Sequence, residues 1–545
     1  MNTVRLNAIA VCFGSVYLAA LGCSDRPADH PASEDTELNS RALSQRWTQI
    51  QNAPFGLESL QLLMDGSVLA SESAHPHVWH RFIPDRVNGY SGGTWVSAGQ
   101  TTYGRVGFIT QILRDGRFFV GGGEYVYDQN GTLLATFNVD SPFHSKCEIF
   151  NLSTNSWNEV PPFPLGNYLS DGVLAPLSDG TLLIGGARPG QESIMFDPAA
   201  CPPGATLCPS DSNRCFYQGS CVTASPWGRT DFTNGPLGFG EGSLTQLQSN
   251  NVFLAENGGE VYVPNPAQGT PAWQPAIAPP AKNPYNGEGA SALTLYDGRV
   301  LITGASGFNA IYNTAAPNLI TNIAATPPAT PRMDESNQVV LPTGNALLAA
   351  VDQTFTGTFA FYEFTPPSTG NSLGSFSSNL VAGGVGPQFV APGVISTPLP
   401  DGTVMVAQAG GAQVWIYSPL SPQLTAFGQP TITHVSGPVN GVYTMTGTTL
   451  NGLTNGVNMD DENQNFTSFP IVWVSRGSNR WYCNVTDLTT RSIAPGVPVT
   501  LNFRVPQGIP LGPLTVSVSA SGLQGANTVQ IAGIPSPGPA YLVLN

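Results

Sequence analysis

Along most of the chain, short apolar runs alternate with tight polar turns at a spacing of about fifty residues. One phrase recurs: an apolar strand, Asp-Gly, a second apolar strand and often a glycine pair. It reads LQLLMDGSVLA at Asp65, TQILRDGRFFVGGG at Asp115, LAPLSDGTLLIGG at Asp179, ALTLYDGRVLITG at Asp297 and ISTPLPDGTVMVAQAGG at Asp401. Degenerate copies, LTQLQSNNVFLAE around Asn250 and QVVLPTGNALLAA at Thr343-Gly344, bring the count to seven. Short apolar runs closed by Asp-Gly predict β-hairpins, and no stretch carries a helical apolar period. Several copies continue into an aromatic or acidic strand and a tryptophan, as in KCEIFNLSTNSWNEV and AQVWIYSP, so each repeat predicts a four-stranded sheet. One such sheet cannot bury both faces, whereas a closed ring of them does and leaves no long free edge. Phe150, Trp157, Tyr262 and Trp273 are expected to pack between neighbouring sheets.

From about Gln429 the repeat stops, and alternating strands such as PTITHVSGPVNGVYTMTG, FPIVWVSRGSNRWYCNV and GPLTVSVSASGLQ run on to the end. Strands of this kind over roughly 115 residues predict a β-sandwich. The order Asp-Gly hairpin, Gly-Gly, Tyr or Phe, Trp resembles the kelch repeat. The phrases FPIVWV and VPQGIPLGPLTVSVSASGLQ resemble the C-terminal early-set immunoglobulin-like domain of galactose oxidase and glyoxal oxidase. The resemblance implies an all-β chain: a seven-bladed kelch-type β-propeller over 46–428, then an immunoglobulin-like β-sandwich over 429–545.

Galactose oxidases oxidise primary alcohols or aldehydes with one copper ion held by two histidines and two tyrosines, one tyrosine being cross-linked to a cysteine. Imidazole and phenolate suit copper(II), and the radical resides on a ligand. Where that family has a Tyr-His pair before the strand of a late blade, RMDESNQVVLPTG has Asp334 and Glu335. The place of the cross-linked tyrosine, in LSDGVLAPLSDG, holds Asp171. The last histidine comes from a sandwich hairpin that reaches up the propeller pore, and the matching stretch NRWYCNVTD offers Tyr482 beside Cys483. The resemblance therefore implies the family's frame without its copper chemistry, and no cofactor is expected.

Carboxylates stand instead in the segments leading into the innermost strands: Glu58 (FGLESLQ), Asp171, Glu241 (FGEGSL), Glu288 (NGEGAS), and Asp334 with Glu335. These lead-in segments are expected to gather around the axis on one face. Clustered like charges are costly unless a cation, hydrogen bonds or protonation relieves them. Three readings follow: backbone N–H groups of the next blade satisfy the ring; it binds a hard cation such as calcium or the hydroxyls of a sugar; or two carboxylates act as acid and base on a glycan, in a hydrolase or epimerase. Arg105 and Arg332, also in lead-in segments, are expected to pair with the ring or with an anionic sugar. A monomeric binding protein for a carbohydrate or cell-surface ligand is the leading expectation, with a structural or adhesion role as the alternative. His75 and His77 in SAHPHVWH form a His-x-His pattern that metal sites use, but no third ligand is in register, and a loop at a blade edge fits better.

Charge narrows the partners. A formal charge of −15 and only two lysines, Lys146 and Lys282, leave no basic stripe for a phosphate backbone, so nucleic acid is not expected. Residues 1–22 combine Arg5, an apolar run and small residues before Cys23, as a secretion signal does. Ala20-Leu21-Gly22-Cys23 resembles the lipobox of bacterial lipoproteins, which implies a lipid on Cys23 and a chain anchored in the cell envelope, at the outer membrane or cell surface. Polar residues 23–45 read as a tether with a coil span of roughly 25 Å. Cys201, Cys208, Cys215 and Cys221 crowd one insertion, 200–222, where two disulfides are expected, with sequential pairing (201 with 208, 215 with 221) favoured among three arrangements. Cys147 and Cys483 are left either free and buried or paired with each other.

Overall fold

The computed structural model describes residues 45–136, 141–164, 169, 172–186, 192–197, 206–208, 211–217, 220–221, 227–232, 239, 242–255, 259–266, 272–275, 290–314, 320–322, 331–333, 335–368, 373–390, 393–424, 428–459, 465–510 and 512–532. The signal segment, Cys23, most of the tether, Cys201, Asp171, Glu241, Glu288 and Asp334 lie outside the described residues. Among the described residues no helix is long and apolar enough to cross a membrane.

Seven antiparallel sheets follow one another along the chain, each with its first strand innermost. Blade 1 runs Gln61–Leu62, Val68–Ser71, Val78–Asp85, Gly89–Gln100, and blade 2 runs Ile109–Ile112, Phe118–Gly121, Cys147–Asn151, Ser156–Val160. Blades 3 to 6 begin at Gly172–Pro176, Ser243–Gln246, Ala290–Thr294 and Gln338–Val340. Blade 7 takes three strands from late in the chain, Val394–Pro398, Val404–Gln408 and Val414–Tyr417, and its outer strand, Trp47–Gln49, from before blade 1. That borrowed strand closes the ring. Trp47, 5% exposed, packs on Phe361 and Tyr417, and its indole donates to the Leu380 carbonyl at 3.1 Å. Arg46 donates to Glu363 at 2.6 Å and to the Tyr417 hydroxyl at 2.7 Å, tying blade 7 to blade 6.

The repeated Asp-Gly phrase has one geometry in all seven blades. A leucine (63, 113, 177, 247, 295, 341, 399) accepts the N–H three residues on at 2.9–3.0 Å and donates to the carbonyl four residues on at 2.8–2.9 Å. This is the three-residue hairpin loop that ends in a left-handed residue. Gly66, Gly116, Gly180, Gly298, Gly344 and Gly402 hold that place, with φ between 75° and 92°, and Asn250 holds it in blade 4 with φ 67°. The preceding side chain caps the turn: aspartates accept a backbone N–H at 2.9–3.1 Å, and Ser249 and Thr343 do so at 3.4 Å. The two degenerate copies thus keep the acceptor and the left-handed residue, which are the features the turn needs.

The sandwich consists of one sheet of Thr431–Val439, Val442–Thr448, Pro498–Arg504 and Asn484–Thr486, facing a second built on Asn479–Tyr482, Pro470–Arg476 and Leu514–Ala520. It docks on the face formed by the Asp-Gly hairpins. Leu488 N–H donates to Arg114 of blade 2 at 2.9 Å, Arg491 N–H to Ser178 of blade 3 at 2.9 Å, and Gln524 to Pro400 of blade 7 at 3.0 Å. Between its strands the sandwich sends a segment into the axis. Val457–Asn458 pairs with the inner strand of blade 6, Asn458 donates to carbonyls of blades 4 and 5 at 3.1 and 2.7 Å, and Asn465 donates to Leu62 of blade 1 at 3.4 Å. These amides are completely buried or nearly so, and they close the axial channel from the sandwich side.

The aromatics expected to pack between blades do so: Phe150, Tyr262 and Trp273 are buried, and half-buried Trp157 packs on Trp79 and Phe150. Cys147 and Cys483 are both free and buried, so they are not paired with each other. The cysteine insertion has secondary structure of its own, a three-stranded sheet of Thr206–Cys208, Asp211–Tyr217 and Ser220–Cys221. Cys208 in it is disulfide-bonded, and the side chains of Cys201, Cys215 and Cys221 lie outside the described ones.

Candidate functional site

With the sandwich covering the hairpin face, the open face of the propeller is the one bearing the lead-in segments. Glu58 and Glu335, the two ring carboxylates within the described residues, both stand on it, on either side of blade 7. Glu58 is held by backbone: its N–H donates to Ser71 at 2.9 Å, while neighbouring Leu57 bonds Gly410 and Gly411 of blade 7 at 2.7 and 2.8 Å. Its carboxyl is recessed and half-buried and has no side-chain partner among the described residues. Burial alone pushes it from the ordinary 4.5 up to about 8. Tyr127 comes toward it from a small sheet (Gly104–Val106, Tyr125–Tyr127, Leu133–Ala135) that lies over the same face. Its hydroxyl is raised first by burial and then by the field of Glu58.

Glu335 adopts a left-handed backbone, φ 53°, uncommon for a residue with a side chain. Its carbonyl lies only 2.4 Å from where a Cβ on Gly393 would be, so blade 7 approaches this strained residue as only glycine permits. Beside it, Arg332 pairs with Val351 through backbone bonds of 2.8 and 2.9 Å, and its guanidinium lies 5.2 Å from the centre of the Phe355 ring. Phe355, also left-handed at φ 55°, is carried by a loop whose turn Asp352 caps through the Thr354 N–H at 2.8 Å. Arg332 is therefore stacked on an aromatic ring near Glu335.

Two sequence expectations need correction, those for Arg105 and Tyr482. Arg105 does not serve the ring: it is 1% exposed and pairs with Glu148 of blade 2 at 2.6 Å, a partner distant in sequence that also accepts the Thr102 N–H at 2.6 Å. Tyr482 is not at the axial site either. It lies under the blade 1 hairpin against Gly66 and 6.3 Å from the Tyr90 ring, because the side chains that reach the axial strands are those of Asn455, Asn458 and Asn465 and not those of NRWYCNVTD. His75 and His77 stand as expected in a loop at the edge of blade 1. Both precede the strand Val78–Asp85, their rings are 6.4 Å apart and nearly perpendicular, and His75 shares Glu72 with His80, at 3.0 and 2.7 Å.

Sequence reasoning missed Tyr127, Phe355 and Glu72. Their signal was weak, since each sits in a loop or short edge strand between blade phrases. Among the described residues no group of three or more His, Cys, Asp and Glu side chains is placed to hold a metal ion. The described histidines lie in blade 1, beside blade 2 (His144) and in the sandwich (His434), so they do not fit a two-histidine, two-tyrosine copper set on the axis.

No family model and no curated protein matches the chain. Solved structures do. A fungal alcohol oxidase of the AA5 family in complex with copper is 13% identical, with 90% of this chain and 99% of that one covered and a TM-score of 0.46. The extracellular domain of a hybrid two-component system from B. thetaiotaomicron is 10% identical, covering 90% of this chain and 59% of the other, with a TM-score of 0.40. The WD40 β-propeller domain of Doa1 is 12% identical over 68% of this chain and 95% of its own, with a TM-score of 0.33. Likenesses at these scores say nothing about chemistry, and the fold rests on the seven sheets and the docked sandwich themselves.

Proposed function

We propose that the open face binds a hydroxyl-rich carbohydrate, with Glu58 as its anchor. The observation that carries this reading is the Glu58 carboxyl, half-buried on the open face with no side-chain partner among the described residues; burial pushes it up to about 8, which favours its neutral form at pH 7. A neutral carboxyl both donates and accepts hydrogen bonds, as a sugar hydroxyl does, and a recessed site raises the value of each bond. Phe355 under Arg332 adds a stacking surface, and the left-handed residues Glu335 and Phe355 fit the tendency of backbone strain to collect at binding sites. Export to the cell envelope through Cys23 belongs to the same reading and is supported by the disulfide at Cys208.

The test is a glycan array followed by titration calorimetry with the best glycan. Glu58→Ala is expected to weaken binding at least tenfold at pH 6. Glu58→Gln, which keeps a donor and an acceptor, is expected to bind as the wild type does at pH 6 and to keep binding above pH 8, where the wild type weakens. Binding that ignores both Glu58→Ala and Glu335→Ala, or no glycan bound at all, rejects the proposal.

A further inference from the structure

Arg491 sits where the sandwich meets the floor of the axial channel, and it is the fully buried cation of that interface. It is 1% exposed, burial draws its guanidinium down to about 9, and no acidic group among the described residues acts on it. Its backbone is fixed on both sides: its N–H donates to Ser178 of blade 3 at 2.9 Å, and its carbonyl accepts Gln246 of blade 4 at 2.9 Å. One terminal nitrogen, Nη1, donates to the carbonyl of Ile112 on the inner strand of blade 2, and the Phe469 ring centre lies 5.6 Å away. The other two nitrogens, Nε and Nη2, are buried and have no hydrogen-bond partner among the described residues. Together they form the edge of the guanidinium that grips an anion with two parallel bonds.

A second unsatisfied donor stands close by in the fold. Gln111 accepts the Ile112 N–H on its Oε1 at 3.0 Å, which fixes the orientation of its amide and leaves Nε2 as a buried donor without a partner. In a strand the N–H and C=O of one residue point to the same side. Gln111 and Arg491 therefore converge on one edge of Ile112, and both bring unused N–H groups there. A buried cation without a counter-charge is among the costliest arrangements a protein core can hold. Water could occupy such donors but would leave the charge unmatched. A divalent anion would overcompensate a single guanidinium.

We infer that this interface holds a small monovalent anion of the halide class, bound by the Nε and Nη2 edge of Arg491 with Gln111 Nε2 as a further donor. The anion lies on the hairpin side, apart from the open-face carbohydrate site, and couples docking of the sandwich to the ring.

Bromide is the probe. Crystals of the chain grown or soaked in sodium bromide are expected to show an anomalous peak within hydrogen-bond distance of Arg491 Nε and Nη2. Water density there without an anomalous peak, or bromide found only elsewhere, overturns the inference. In solution, the folding equilibrium constant of the wild type is expected to rise about tenfold per tenfold increase in bromide above the dissociation constant. Arg491→Met should lose that dependence at equal salt. A dependence unchanged in Arg491→Met overturns the assignment, and if that variant does not fold, the anomalous experiment on the wild type still decides.

Discussion

Replacing Glu58 by glutamine should make the protein more stable, increasingly so with rising pH. In the unfolded chain this carboxyl ionises near 4.5, and in the fold near 8. Its folded value is raised, so the folded state retains a proton that the unfolded state has lost anywhere between these two values. Stability supplied by the wild-type residue is therefore lost as pH rises from about 4.5 to about 8, and the loss levels off above that. The interval, 8 minus 4.5, spans about 3.5 pH units. At ~1.4 kcal/mol per unit the full effect would be about 5 kcal/mol. Because the side chain keeps part of its surface in water, screening reduces this to about 2–3 kcal/mol. Glutamine has nearly the same shape and no charge, so it removes the pH-dependent part and leaves packing alone. Urea denaturation of both proteins at pH 5, 6, 7, 8 and 9 measures the difference directly, since every other titrating group is common to both and cancels. The stability gap should open across this range and flatten at its top. A gap that stays constant within about 0.5 kcal/mol would refute the recessed, protonated carboxyl, and with it the basis for anchoring a sugar there.

Two further measurements address the frame. Glu148→Ala strands Arg105 as a buried charge without its counter-ion and should cost about 3–5 kcal/mol in chemical denaturation, whereas a pair of no structural consequence would cost under about 1 kcal/mol. Gly402→Ala introduces a Cβ that meets only ordinary contacts at 3.5 Å, so its cost should be the left-handed backbone alone, about 1–2 kcal/mol, with Gly402→Asn measurably milder; equal stability of all three proteins would contradict the turn geometry.

What could be read from the chain in advance was what depends on neighbours in sequence. The hairpin turn needs a side-chain acceptor and, at the next residue, a left-handed backbone. Asp65-Gly66 announces both, and Ser249-Asn250 still satisfies both, so even a degraded copy was visible. Arg105 was misread because its partner, Glu148, is in another strand of the fold, and a lone Gly-Arg-Val gives no sign of it. The axial segment was misread for a related reason. Asn455, Asn458 and Asn465 cross the core as amides that bond blade carbonyls, and buried amides leave no apolar periodicity to follow. Lead-in acids were visible as a set because the repeat aligned them. Whether Glu58 kept its charge depended on burial, which no spacing in the sequence encodes.

The strand Trp47–Gln49 pairs with Val414–Tyr417, so the first strand of the ring waits for nearly the last. During synthesis the blades between them can form one after another while the sheet edge of blade 1 stays exposed and the first strand unpaired. Such a long sequence separation makes ring closure a late, high-contact-order event. Asn455, Asn458 and Asn465 follow still later in the chain, and they can bond carbonyls of several blades only in a ring already near its final diameter. The order of residues along the chain thus sets an order of assembly: blades first, closure second, the plugging of the axis last.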